Sequence, residues 1–312
     1  MAETTVPSGL TVQQWDERYF TQYLNNNWFK NMMGTGSSKM IQVKEDLTKK
    51  PGDAVTFTLV NRLTGTAKDS TQDLEGSEEE ADLRSFLIRV REYSHAVKMS
   101  KFEAQKTAID LRNAHRDVLM DWNMELDRDN IIAAMGSING VLYSAASETQ
   151  KDAWLVDNAD RVLFGAAKSN NSSNDHSASL ANVDTTNDKL TPDALSLMKR
   201  MAKQANPKIR PIKPKDNVAG SDGYVVFAPT ECVRDLAANS AFVQANREAR
   251  NRGIENPLFS GADYIWENLA IYEIEDLPSL GAVGASSAVV RPVYLSGAPT
   301  LGIAWAMWPQ AR

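Results

Sequence analysis

The sequence predicts an α+β fold made of an N-terminal arm, a long β-hairpin, a single long helix and a compact half of mixed helices and strands. Three observations predict it. Residues 99–135 contain no Pro and no Gly, and Ala104, Ala108, Leu111, His115, Val118, Trp122 and Leu126, then less regularly Ile132 and Met135, recur at steps of three and four. That spacing is one buried face of an α-helix. From Gly52 the period changes to two, with Val55, Phe57 and Leu59 alternating with Thr56, Thr58 and Val60, and Phe86, Ile88 and Val90 alternating with Arg89 and Arg91. Two strands follow from this pattern. In the second half, helical and strand patterns do not alternate regularly enough for a doubly wound parallel sheet, which leaves a compact α+β arrangement.

Taken in order, the arm comes first. Trp15, Tyr19, Phe20, Tyr23, Trp28 and Phe29 are scattered without a sustained period among Gln and Asn. One or two short helices fit Gln13 to Phe29, but so small a segment makes no core of its own. It must lie on its own domain or on another subunit, and aromatic enrichment favours an interface. GTGSSK at Gly34 to Lys39 lacks the spacing of a phosphate loop and precedes the strand-like MIQV, so it reads as a turn.

Between the two hairpin strands, expected at about Val55–Val60 and Arg84–Val97, lie some 20 polar residues ending in DLEGSEEEAD, where six acids fall in ten positions with no base. Arg84, Arg89, Arg91, Lys98 and Lys101 follow, so the hairpin carries acids at its tip and bases at its root. A plain solvated loop is one reading. A long two-stranded ribbon is only marginally stable alone, however, so the other is a ribbon lying on a partner surface. The long helix then opposes its apolar face with Asp110, Arg112, Arg116, Asp117, Asp121, Glu125 and Asp127. At ~1.5 Å per residue it would be a rod of roughly 50 Å. No strict heptad persists long enough for a coiled coil.

Gly136 and Gly140 end that helix, residues 141–166 follow no clear period, and 168–188, low in apolar content, reads as an exposed loop or insertion. Thr191 caps a further helix, with Pro192 and Asp193 in its first turn and Ala194, Met198, Met201 and Ala205 on its buried face. NPKIRPIKPKD is extended by its prolines; its four bases lack interleaved aromatics, so it reads as a basic surface loop rather than a nucleic-acid groove. Tyr224–Phe227 is a short buried strand, Pro229 opens a helix to about Asn239, and a second helix runs from Phe242 to Asn251 before Gly253. Strands are expected at Tyr264–Trp266, Leu269–Ile274, Val289–Leu295 and Leu301–Trp308.

The totals exclude several classes. With 312 residues, 42% hydrophobic and 24% charged, the chain has an ordinary folded composition, and its net charge of −6 argues against an overall basic nucleic-acid surface. Cys232 is the only cysteine, so neither an intrachain disulfide nor a cysteine metal cluster is available. The start, MAETTVPSG, has no basic region and no apolar core, and Leu301–Trp308 is far short of a membrane span, so folding in a cytoplasm is expected. His95, His115 and His176 are too dispersed for a metal motif, GSING has its serine one place early for a nucleophile elbow, and Glu78, Glu79 and Glu80 have no apolar surroundings to raise one pKa. No catalytic residue, cofactor or metal ligand is expected, and the protein reads as a non-enzyme.

Three long segments carry a resemblance. KKPGDAVTFTLVNRLTGTAKD with DLEGSEEEADLRSFLIRVREYSHAV, then QKTAIDLRNAHRDVLMDWNMELDRD, then YVVFAPTECVRDLAANSAFVQANREARNRGIENPLFSGADYIWENLAIYEIEDLP, cover perhaps two thirds of the chain in order. Together they resemble the major capsid proteins of tailed phages with the Hong Kong 97 fold, and most of all the N-four podophage group. The resemblance implies an arm at 1–50, an extended loop at 51–98, a peripheral domain at 99–222 with the spine helix 99–135 and the inserted loop 168–188, an axial domain at 223–287, and returning strands at 288–312.

It also implies a virion shell of hexamers and pentamers assembled in the host cytoplasm around double-stranded DNA held by non-specific proximity, with scaffolding, portal and cement proteins as partners and no membrane. The expected inter-subunit contacts are Trp15, Tyr19, Trp28, Glu75, Glu78, Glu79, Glu80, Arg84, Arg89 and Arg91. No motif supports a covalent crosslink at Lys68. The family often continues past the point matching Trp308, and the loop 168–188 has no counterpart in it. An encapsulin-type shell, or a cytoplasmic hydrolase or binding protein, are the other readings.

Overall fold

The computed structural model describes residues 29, 32–48, 52–60, 63, 65–67, 69, 78, 79, 83–98, 100, 105, 106, 110–212, 223–253 and 262–307. The chain divides into two compact units, one of residues 1–28, 91–130 and 307–312, the other of residues 29–90 and 131–306.

In the larger unit, β1 (Met33–Gly34) and β2 (Ile41–Lys44) pair in parallel, and β2 pairs in parallel on its other side with the last strand, β9 (Leu301–Ala304). Phe29, Met32, Met40 and Ile41 are buried in one cluster with Ile131, Ile132, Val225, Phe227, Ala270 and Leu277. Of the two resting places open to the arm, Phe29, Met32, Met40 and Ile41 therefore take their own subunit's core; the Phe29 ring meets Phe227 edge-on at 5.3 Å. The helices expected at Gln13–Phe29 lie outside the described residues, Phe29 excepted.

The hairpin pairs β3 (Ala54–Val60) with β4 (Leu83–Arg89), antiparallel, from Ala54 opposite Arg89 to Val60 opposite Leu83. The expected second strand to Val97 is corrected. After Val90 donates its N–H to the Asp53 carbonyl, β3 offers no further partner, and residues 90–98 have no regular structure. The helix expected as one piece over 99–135 is interrupted at Asp110, which is not helical, whereas Gln105 and Lys106 before it are. Its main body, α1, is Leu111–Met135, 25 residues or ~37 Å. Asp110 ends it N-terminally, its carboxylate accepting the amides of Arg112 at 3.2 Å and Asn113 at 3.3 Å, as an N-cap does. Val118, expected to be buried, is 49% exposed.

Residues 141–190 fold into a lobe with its own small core of Leu155, Phe164, Leu180 and Val183. Helix α2 (Glu148–Asn158) opens with a reciprocal capping box between Ser147 and Gln150, and α3 (His176–Ala181) opens on Asp175. The expectation of an exposed loop at 168–188 is therefore wrong. Its polar residues bond one another rather than water: Asp188 accepts from the amides of Ala166 and Asp184 and from the Asn170 side chain at 2.8–2.9 Å. Gly165 lies beneath that carboxylate at φ 61°, and a Cβ there would stand 2.3 Å from the Asp188 oxygen.

Helix α4 (Pro192–Gln204) is capped by Thr191 and buries Ala194, Leu195, Met201 and Ala202. It covers a mixed sheet whose central strand, β5 (Tyr224–Ala228), is buried throughout. Helices α5 (Thr230–Ala237) and α6 (Ser240–Gly253) follow, then β6 (Tyr264–Trp266), β7 (Leu269–Glu273) and β8 (Tyr294–Ser296), in the sheet order β6-β7-β5-β8. β5 runs parallel to β7 and antiparallel to β8. The last two strands are shorter than expected. Val290 makes only an isolated bridge to Gly281, and Pro292 offers no N–H to extend β8. β9 ends at Ala304, and Trp308 lies outside the described residues.

Replacing Asp188 with Ala leaves three donors without an acceptor and is expected to cost about 1–3 kcal/mol. Amide exchange in residues 166–190 should speed up while that of β5 stays slow; equal exchange in the variant would show that the carboxylate does not organise the lobe.

Candidate functional site

The hairpin is the candidate because, among the described residues, its anchoring contacts lie at one end. At its root Val55 is buried, and the Phe57 ring lies against Gly302 of β9, so closely that a Cβ at 302 would stand 2.9 Å from Phe57 Cζ. The Lys44 ammonium from β2 sits 4.4 Å from the centre of the same ring and donates to the Thr56 carbonyl at 2.8 Å. A cation over a ring face and a bond to the strand backbone fix where the ribbon leaves the sheet.

Away from the root no described residue covers the apolar side chains. Val60 and Leu83, cross-strand partners, are each 64% exposed, and Leu63, Phe86 and Leu87 are more than half exposed. The register places Val60, Leu83 and Leu87 on one face and Phe57, Phe86 and Ile88 on the other. A solvated ribbon shows polar side chains on at least one face, whereas this one shows apolar side chains on both. Clustered exposure of that kind marks a surface that another molecule covers.

Of the residues predicted from sequence for inter-subunit contact, the structure places some and not others. Trp15, Tyr19, Trp28, Glu75 and Glu80 lie outside the described residues. Glu78 and Glu79 are exposed, the Glu79 carboxylate accepting the Gly65 amide at 2.6 Å across the loop. Arg84 lies in β4 opposite Leu59. Arg89 is exposed opposite Ala54, and Arg91 is exposed just past the strand. Charge drew the sequence reading to this ribbon, but it missed the exposed apolar set. Leu83 and Leu87 were its signal, since they break the alternation seen at Phe86 and Ile88.

Helix α1 shows a smaller version of the same pattern, with Met120 and Met124 one turn apart and 54% and 42% exposed. Near its far end Arg128 is buried, its guanidinium 3.2 Å from Asp129 and 3.6 Å from Glu125. Burial raises the pKa of the neighbouring Asp127.

His176 Nδ1 lies 3.0 Å from Glu148 and Nε2 lies 3.4 Å from the Tyr143 hydroxyl. A carboxylate only accepts, so Nδ1 carries a proton directed at Glu148. Burial, and then the charge of Glu148, pushes the Tyr143 hydroxyl up to about 12, so it is no nucleophile and the set clamps α2 to α3. The Cys232 thiol is pushed up to about 11 by burial and then by Asp235 and Glu231, opposite to the shift of a reactive cysteine. Among the described residues no cluster of His, Cys, Asp and Glu could hold a metal, and no helix is long and apolar enough to cross a membrane.

The chain was compared with known proteins. A family model described as phage capsid protein matches residues 3–294. Among solved structures the chain is similar to the capsid subunit of the cyanophage Pam1, at 30% identity and a TM-score of 0.87, over 99% of this chain and 87% of that one. It is also similar to the capsid of Ralstonia phage GP4, at 20% identity and a TM-score of 0.76, over 100% and 87% of the two chains, which shows the fold alone. No curated protein sequence matches it.

Replacing Lys44 with Ala removes the root contact, worth about 1–2 kcal/mol. Protease cleavage and amide exchange at residues 54–60 of the unassembled subunit are expected to accelerate while melting of the whole chain shifts little. Unchanged cleavage would show that the ribbon is anchored by something else.

Proposed function

This chain belongs to the phage capsid protein family and is a major capsid protein of a phage head with the Hong Kong 97 type of fold, and on that premise we propose how its copies close a shell. Subunits associate as hexamers and pentamers into an icosahedral shell around double-stranded DNA. The hairpin of each lies across a neighbour, which covers the side chains that the ribbon cannot cover itself. The observation that carries this is the set Val60, Leu63, Leu83, Phe86 and Leu87, exposed on a ribbon whose anchoring contacts, among the described residues, lie at its root.

Apolar burial contributes roughly 25 cal/mol per Å², whereas each exposed charge pair contributes about 0–1 kcal/mol. The apolar strip therefore supplies adhesion, and the acids at the tip with Arg84, Arg89 and Arg91 at the root supply register. Many such modest contacts let subunits add reversibly before the shell closes. Trp15, Tyr19 and Trp28 of the arm are proposed to cover a second neighbour.

The division into arm 1–50, extended loop 51–98, peripheral domain 99–222, axial domain 223–287 and returning strands 288–312 belongs to this proposal. The pairing of β5, β6 and β7, from Tyr224 to Glu273, supports an axial unit, and β8 of the returning strands adds to the same sheet. The narrower likeness to the N-four podophage group rests on the wording of the sequence. Scaffolding, portal and cement proteins are proposed partners, assembly is placed in the host cytoplasm, and no catalytic role or cofactor is assigned.

Deleting Asp69 to Asp82 tests the hairpin's part. The shortened subunit is expected to keep its near-ultraviolet circular dichroism and melting transition, and to form no closed particles by negative-stain electron microscopy. Complete shells from that deletion would remove the hairpin tip from assembly.

A further inference from the structure

One charged surface remains outside the account above. From Ala194 to Lys215 the chain carries seven bases and no acid, in a protein of net charge −6. Five of these bases, Lys199, Arg200, Lys203, Lys208 and Arg210, lie among the described residues. Lys199 is paired with Glu267 at 3.5 Å. Arg200 and Lys203 stand one turn apart on the solvent side of α4, and both are exposed.

After α4 the chain does not wander as a solvated loop would. The Ile209 amide donates to the Ala202 carbonyl at 3.1 Å, turning the chain back on the helix end, and the Arg210 carbonyl accepts from Ala298 at 2.9 Å. The Asp160 carboxylate accepts the Asn206 amide, Arg161 donates to the Pro207 carbonyl, and Tyr224 donates to the Ile209 carbonyl, at 2.8, 2.8 and 3.1 Å. Ile209 points into the core against α4 and the central sheet. Lys208 and Arg210, either side of it, are exposed. The fold therefore presents four cations on a fixed backbone, and none of the four makes an ion pair among the described residues. The negative end of the α4 dipole accounts for bases in its last turn. It does not account for Lys208 and Arg210, which lie beyond it.

We infer that Arg200, Lys203, Lys208 and Arg210 receive the acidic hairpin tip of a neighbouring copy of this chain. The inference rests on the shell reading and names the surface on which the tip lands. The argument is charge complementarity. Residues 69–82 hold seven acids and no base, the reverse of the segment from Ala194 to Lys215. Among the described residues of their own subunit the four cations have no such partner, which points to a tip supplied by another copy. A nucleic acid is the competing ligand, but Lys208 and Arg210 are interleaved with Ile and Pro and not with aromatic side chains on which bases stack.

Three full-length variants test it. One reverses the patch (Arg200→Glu, Lys203→Glu, Lys208→Glu, Arg210→Glu), one reverses the tip (Glu78→Lys, Glu79→Lys, Glu80→Lys, Asp82→Lys), and one carries both sets. Each single reversal is expected to lower the yield of closed particles by about tenfold or more, and the combined variant to recover most of it. A labelled peptide of residues 69–82 gives a second readout that needs no shell. Its fluorescence anisotropy should rise on binding the unassembled wild-type chain, return to baseline in high salt, and weaken by about tenfold in the milder pair Lys208→Ala, Arg210→Ala.

Undiminished particle yield from the patch-reversed chain, or peptide binding equal in wild type and variants, would overturn the inference. So would a patch reversal that weakens binding of duplex DNA and leaves peptide binding intact, which would assign the surface to nucleic acid. If the wild-type chain makes no particles under any condition, it is the shell reading that fails, and the peptide alone decides the patch.

Discussion

A ribbon of two strands has two faces and no interior, so it cannot bury apolar side chains without a second surface. Here that constraint falls on β3 and β4. Their root is closed by Phe57 against Gly302, with Lys44 over the ring, and beyond it the paired Val60 and Leu83 are both 64% exposed. Nothing in the subunit's described residues lies over them, which supports the proposal that a neighbouring copy completes the hairpin. The same incompleteness makes a shell subunit useful, since a chain that satisfied all its surfaces alone would have no reason to add to a growing lattice.

The anchor at the root depends on how the chain closes. β2, near the beginning, is the middle strand of a sheet whose outer strand β9 is the last described strand. The ribbon leaves directly from the strand pair that joins the two ends, so its exit is set by long-range pairing and not by the local sequence. Phe29, Met40 and Ile41 are fully or almost fully buried, which fixes that pair against β5 and the end of α1. The stiffness of the base decides how accurately a projecting ribbon can aim.

Much of this could be read from sequence where a local signal was strong. Thr191-Pro192 marked α4, the alternation at Val55–Thr58 marked β3, and Tyr224–Phe227 marked the central strand of the mixed sheet. What was missed has physical reasons. The helix was drawn as one uninterrupted piece because the apolar spacing continues through Ala104 and Ala108, while the Asp110 cap that interrupts it is a single residue. The stretch 168–188 read as a loop because composition says nothing of the hydrogen bonds by which Asp188, Asn170 and Asp175 order it around a small apolar core. Ser147-Gln150 was a legible capping box that would have located α2. The exposed leucines of the hairpin were overlooked because its charges are more conspicuous.

The central claim is that a neighbouring subunit covers the hairpin. Electron cryomicroscopy of particles assembled from the purified chain, with a scaffolding protein supplied if the chain alone stays unassembled, tests it most directly. Closed icosahedral shells in which Leu83, Phe86 and Leu87 lie against an adjacent copy are expected. Shells in which the hairpin stands free in solvent, or a chain that remains a monomer or dimer with scaffold present, would contradict the claim.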